Sequence, residues 1–263
     1  KLRERAVNPP SGRYEMGSIS NVETAFAVGC LALAGPFVAC ADASFTATLT
    51  SYAAGRYEQC GYSAAQNWDS SASMTLWSIR AFQHTRTEAS GAQSLTWCAE
   101  VYQGLDLGSS YTFDTVAAEQ APSGEVAPGP MGALKAAAVR DLFARWINAS
   151  NGNVNGVPAD RDAKSAAFQI VLWELTHENF TANSPQAVLA QMSLTTGAFR
   201  ASITGATADW YGSIVQSLGV GGFQSTAIEG LTSSLAQDQL RLVPAPAAFA
   251  LIGLGGLLNR RRR

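Results

Sequence analysis

The chain has 263 residues, a formal net charge of −2, 47% hydrophobic residues and only 14% charged ones. So sparse a charge, with no basic stripe, argues against nucleic-acid binding. The combination suits an exported, β-rich body with many Ser, Thr, Ala and Gly residues.

The first 43 residues read as a signal-peptide region. Ala25 to Ala39 is an apolar run, broken by Gly29, Gly35 and Pro36, and Ala41-Asp42-Ala43 follows as a small-x-small cleavage site. The expected mature start is Ser44. Met16 is a plausible true start; Lys1, Arg3, Arg5 and Arg13 supply positive charge if the longer form is made. Cleavage removes Cys30 and Cys40 and leaves Cys60 and Cys98, for which one disulfide is the default in an exported protein.

The segment 44–240 reads as one domain. Ser44 to Ala53 alternates and predicts a strand, and Gly55 to Ser70 is polar and predicts a loop. Ser73 to Thr87 predicts one or two strands. Ser94 to Gln103 predicts a strand with Leu95, Trp97, Ala99 and Val101 on one face; Cys98 then lies on the other, beside Thr96 and Glu100. Ser110 to Val116 predicts a further strand, and Ala121 to Pro130 a loop. A helix is predicted over Gly132 to Asn148. A second runs from Asp160 to His177, capped by Asp160 or Asp162, with Phe168, Val171, Leu172 and Leu175 as its apolar face. Ala206 to Leu218 predicts a third helix, and Phe223 to Val243 predicts strands. The expected class is α+β, an antiparallel sandwich or barrel core with two or three inserted helices.

The C-terminal segment 241–263 is distinctive. Pro244 and Pro246 flank Ala245, a 12-residue apolar run spans Ala247 to Leu258, and the chain closes on Arg260, Arg261, Arg262 and Arg263. A stable membrane span needs roughly 20 apolar residues, so the run makes transient membrane contact, and the arginines hold the end on the cytoplasmic side. The arrangement resembles the PEP-CTERM sorting domain of bacterial exported proteins, with Ala245 where that family has glutamate. The resemblance implies an exosortase-type processing enzyme as a partner and delivery to the cell envelope or extracellular matrix. Removal of the leader and of Arg260 to Arg263 leaves ten basic and sixteen acidic residues, a net of −6.

Two internal features form a pair: Leu95-Thr-Trp-Cys98-Ala-Glu on a strand, and Ala167-Phe-Gln169-Ile-Val-Leu-Trp173-Glu on a helix, where Gln169 and Trp173 share a face. The pair resembles the Cys–Gln thioester domain of bacterial surface proteins, in which a strand cysteine is joined to the glutamine of a Thr-Gln-x-Ala-Ile-Trp helix. The resemblance implies a thioester between Cys98 and Gln169, supported by Trp173 and Leu172, and covalent attachment to an amine-bearing surface or matrix target. Phe168 and Val171 depart from that motif. Cofactors and metals are not implied. Asn151, Asn153 and Asn155 with Asp162 echo the spacing of a calcium loop, but neutral amides at the early positions read better as a turn. Glu174 and Glu178, one turn apart, read as a solvated helix face.

Three functions stay open on the sequence: a thioester attachment protein, a cysteine hydrolase using Cys98 with His84 or His177, and a structural matrix component with a Cys60–Cys98 disulfide. Exported material is expected to begin at Ser44 and to lack Arg260–Arg263. N-terminal sequencing and intact mass check this; a start upstream of Ala39, or an intact arginine tail on matrix-located protein, contradicts it.

Overall fold

The computed structural model describes residues 44–123, 129–156 and 158–243. The signal-peptide region and the C-terminal signal, with Pro244, Pro246 and Arg260 to Arg263, lie outside the described residues. The strands are β1 (Ser44–Tyr62), β2 (Trp77–Glu88), β3 (Gln93–Cys98), β4 (Ser110–Ala117), β5 (Phe199–Ser202), β6 (Ile228–Thr232) and β7 (Gln239–Leu242). The helices are α1 (Gly132–Trp146), α2 (Arg161–His177), α3 (Pro185–Ala190) and α4 (Gly205–Ser217). The sheet order is β2-β3-β7-β6-β4-β1-β5, every pairing is antiparallel, and β1 also pairs with β2. The pairing path thus returns on itself, and the sheet is ring-like without being a barrel. The expected α+β class holds.

Strand β1 makes this possible. Its first residues pair with β4, its middle with β2, and Gln59 to Tyr62 with β5. Two register shifts, between Leu49 and Ser51 and between Tyr52 and Ala54, let it bend from one partner to the next. Gly55 follows at φ +146°, where an added Cβ would stand 2.2 Å from the Ala81 carbonyl oxygen; only glycine lets the two strands approach this closely. The polar stretch from Gly55 was expected to be loop. It continues as strand to Tyr62 because β2 supplies a partner as far as Cys60↔Trp77, so pairing outweighs local composition. Between β1 and β2 the chain is irregular over 63–76. Arg200 anchors that segment, donating to the carbonyls of Ala72 (2.6 Å) and Ser70 (2.5 Å) and to Gln66 Oε1 (2.6 Å). The short β5 and α3 had no periodic signature in the sequence.

Helix α2 is buried from Ala163 to His177. One side, with Phe168, Val171, Leu172 and Leu175, joins a core with Trp97, Leu142 and Phe143. The other, with Ala166, Ile170 and Trp173, packs with Cys60, Ala81 and Phe199. A single apolar face was expected; the helix has two because α1 and α4 cover what the sheet does not. Asp160 stands at the N-cap without a side-chain cap bond, and Asp162 instead accepts from the Gly55 N–H at 3.4 Å.

The expectation of a solvated face at Glu174 and Glu178 is overturned, since both are fully buried. Their carboxylates accept backbone N–H groups. Glu174 takes Ser193 (2.7 Å), and Glu178 takes Ala198 (2.9 Å), Asn179 (2.8 Å) and Phe199 (3.3 Å). These bonds hold the chain entering β5, which forms no other ladder on that side. Among the described residues no helix is long and apolar enough to cross a membrane.

Phe168 packs between Trp97 (tilted, centroids 4.4 Å) and Phe143 (edge-to-face, 5.2 Å). Phe168→Ala is therefore expected to cost ~3–5 kcal/mol, measured by urea denaturation. A loss under ~1 kcal/mol would contradict this account of the core.

Candidate functional site

Strand alternation sets the site. Trp97 points toward α2 and pairs across from Leu240, while Thr96 and Cys98 take the opposite face, with His84 across from Thr96 and Gln239 across from Cys98. Cys98 is the last residue of β3, where the ladder ends. Gln169, in the middle of α2, reaches that end. Its Oε1 accepts from the Cys98 N–H at 2.9 Å and its Nε2 donates to the Cys98 carbonyl at 2.7 Å. Two residues 71 apart in sequence are thus clasped amide to peptide.

The Cys98 sulfur has other partners. Its S–H donates to Gln237 Oε1 at 2.7 Å, His84 Nδ1 stands 3.3 Å away, and Gln239 Nε2 donates from 3.7 Å. Gln239 is itself oriented, because its Oε1 accepts from Arg86 Nε at 2.6 Å and from the Thr96 hydroxyl. Its Nε2 then faces His84 Nδ1 at 3.5 Å. An amide nitrogen only donates, so Nδ1 is the acceptor and the imidazole proton sits on Nε2. Gln237 is held by a bond from its Nε2 to the Glu100 carbonyl.

This environment is dry, and both reactive groups are neutral in it. Burial pushes the Cys98 thiol well above its ordinary range, an effect the Arg86 guanidinium opposes. Burial, reinforced by the charges of Arg86 and Arg80, brings His84 down to about 3. Burial also lowers Arg86, to about 10. No thiolate stands ready; a base must take the proton as the sulfur reacts.

The other expected residues fall as follows. Leu172 and Trp173 are buried in the two cores flanking Gln169 and hold α2 in place. Of the two histidines weighed beside Cys98, only His84 meets its sulfur. His177 Nε2 accepts from the Val101 N–H at 3.2 Å, and its ring lies against Tyr62 at 4.8 Å. The disulfide between Cys60 and Cys98 is not formed, and both are free thiols. Cys60 and Cys98 share one buried cluster with Ala81, Ile170 and Trp173, but the Cys98 sulfur hydrogen-bonds with His84 and Gln237. The calcium-like loop is a turn: Asn148 Oδ1 accepts from the Ser150 N–H and Asn151 Oδ1 from the Asn153 N–H.

Arg86, Gln237 and Gln239 were not singled out in the sequence. A signal was present, since Gln237 and Gln239 alternate at the start of a strand and Arg86 breaks a β-branched run. The Cys98 N–H as a donor to Gln169 had no signal, because every residue has one. Comparison of the chain with protein-family models, with curated proteins and with solved structures finds no match.

With both imidazoles held neutral by burial, His177 also lying near 3, neither ring is expected to titrate between pH 5 and 8. The unfolded chain takes these protons first, near pH 6.5, so each histidine's contribution to stability is present above that pH and is lost as pH falls toward 3. Imidazole proton shifts followed by NMR check this; a midpoint near 6.5 for His84 would show that its site is wet.

Proposed function

We propose that this is an exported bacterial cell-surface or extracellular-matrix protein, delivered by its C-terminal sorting signal, whose body uses a thioester between Cys98 and Gln169 to attach covalently to amine-bearing targets. The observation that carries the reading is the two-point clasp of the Gln169 amide by the Cys98 main chain, beside a buried thiol with His84 at its sulfur.

Each group has a part in the chemistry. The thiol turns about its Cα–Cβ bond onto Gln169 Cδ and gives its proton to His84 Nδ1. The Sγ–Cδ bond forms, and the charge gathering on Oε1 is met by the Cys98 N–H that already donates to it. The Cδ–Nε2 bond then breaks, and the nitrogen takes the proton back from His84 and leaves as ammonia. An incoming amine reverses the sequence: its nitrogen bonds to Cδ, the Cδ–Sγ bond breaks, and the sulfur recovers a proton as a thiol. The clasp of the Gln169 amide on the Cys98 main chain keeps the two residues together, which lowers the entropic cost of the first step.

One further fact supports the reading. The lysines of the described residues are engaged elsewhere, Lys135 Nζ donating to the Thr176 carbonyl and Lys164 Nζ to the Asn155 carbonyl. Neither is free to quench the acyl group. The hydrolase alternative draws on the same Cys98–His84 contact, and the raised thiol burdens both reactions alike.

Freshly prepared, amine-free protein is expected to weigh one ammonia less than its sequence. Cys98→Ala and Gln169→Ala are expected to restore the full mass, the latter at ~1–3 kcal/mol of stability. His84→Gln is expected to slow thioester formation ~10²–10⁴-fold. Methylamine is expected to add to Gln169 and free one thiol. Alkylation of the processed chain in denaturant without reductant separates the cases: one thiol, Cys60, for the thioester; two thiols at full mass eliminate it; none points to a disulfide.

A further inference from the structure

A cavity of about 280 Å³ opens beside the site, lined by residues that contact the Cys98 sulfur. Its floor includes His84 and Gln237, both nearly inaccessible to solvent and both in contact with Cys98 Sγ. Tyr52, Tyr57, Arg80 and Gln103 also line it, with Tyr57 and Arg80 exposed. A nucleophile approaching through this cavity meets two of the residues that touch the sulfur. The volume suits one small group and not an extended ligand.

The charge of the lining is one-sided. Arg80 is its only ionised side chain, and no carboxylate lines the cavity. Among the described residues Arg80 has no ion pair. Its guanidinium is nonetheless held in place. Nε donates to the Tyr57 phenol at 2.6 Å, Nη1 donates to the Tyr52 phenol, and the group lies 4.7 Å from the Tyr52 ring centroid and 5.5 Å from that of Tyr57. An arginine carries five N–H donors in a planar fork, so most remain for a ligand. Its field extends to the floor, since Arg80 is one of the causes holding His84 neutral. A pre-positioned cation without a counter-charge, over a dry acyl-transfer site, binds anions and repels an ammonium group.

We infer that this cavity selects the target, and that it takes a small amino carboxylate: the carboxylate sits on the Arg80 fork, and the uncharged amine is presented past Gln237 to the acyl carbon of Gln169. The covalent half of this assignment rests on the thioester reading; the binding half does not. The same group could be a free amino acid or the end of a larger molecule, since both offer the same amine and carboxylate. A plain alkyl ammonium, such as a lysine side chain with no acid beside it, is disfavoured at Arg80.

The test uses the full-length processed protein. Thioester-form protein is treated with β-alanine or with propylamine at equal concentrations of free base, and adduct formation is followed by intact mass. The β-alanine adduct is expected to form faster, on the order of tenfold, as one charge-assisted contact provides. Arg80→Gln is expected to abolish that preference, and Tyr57→Phe, which frees one edge of the guanidinium, to reduce it. A β-alanyl dipeptide and a peptide ending in a C-terminal lysine, compared with β-alanine itself, separate the free from the chain-borne source. In parallel, β-alanine is titrated into Cys98→Ala protein, which cannot form the thioester, and into Cys98→Ala/Arg80→Gln, with binding read from NMR shifts of the Tyr52 and Tyr57 rings. Saturable, Arg80-dependent shifts support the assignment even if the mass deficit is absent, in which case the thioester reading alone fails. Equal adduct rates together with no Arg80-dependent binding overturn the assignment, and a persisting mass deficit then leaves the thioester in place.

Discussion

The clasp between the Gln169 amide and the Cys98 peptide is the contact on which the site depends. A strand end leaves a backbone N–H and a carbonyl without ladder partners, and in a buried place each must find another. Here one side chain satisfies both, at 2.9 and 2.7 Å. The amide fits because it carries one acceptor and one donor side by side, as a peptide does. Glutamate could accept but not donate, and an apolar residue would leave both groups orphaned at ~1–3 kcal/mol each. This structural demand and the proposed chemistry call for the same residue, and the same contact that caps β3 also polarises the carbonyl the thiol would attack.

The clasp needs α2 to be fixed on every side. Phe168 locks it against Trp97 and Phe143, and Trp173 locks it against Phe199 at 6.2 Å. The buried carboxylates extend this beyond the helix. Glu174 and Glu178 bind the backbone before and within β5, and Asp141 on α1 accepts from the Gly219 and Gln224 N–H groups past α4. Buried carboxylates are costly unless they accept several donors; Glu178 and Asp141 each accept three, whereas Glu174 accepts one, and burial pushes its carboxyl well above the ordinary range. The site rests on regular elements tied by such bonds, which restricts the small displacements that would spoil an acyl transfer.

On the opposite face of the sheet the ring interior is polar but water-poor. Arg86, Thr96, Gln237 and Gln239 form a chain of oriented amides, hydroxyl and guanidinium around the sulfur. The Arg86 guanidinium lies 4.2 Å from the Phe113 ring centroid. Low dielectric keeps the thiol protonated and the imidazole neutral, so the reactive atoms stay uncharged until proton transfer accompanies bond formation. The cavity by Arg80 is the contrasting region, with exposed Tyr57 and Arg80 at its rim and one charged side chain. In the proposed reading, one face would hold the reactive pair and the neighbouring opening would admit the amine.

Much of this was legible along the chain, and the limit has a physical origin. The helix of Gln169 and Trp173, the strand of Trp97 and Cys98 on opposite faces, and the α+β class follow from i, i+2 and i, i+4 spacings, which nearest neighbours impose on the backbone. The association of Cys98 with Gln169 was accessible only through resemblance. What no local spacing encodes is register between distant segments. That Gln237, 139 residues from Cys98, reaches its sulfur follows from the β3–β7 pairing. That β1 runs on to Tyr62 follows from β2 lying beside it. That Glu174 and Glu178 are buried follows from β5 crossing the end of α2. The sequence by itself determined the long periodic elements and the alternation of side chains along them, but not β5, α3 or the run of β1 past Gly55. The tertiary structure decided which faces meet, because closing a ring of strands selects one register among many that local preference leaves equal.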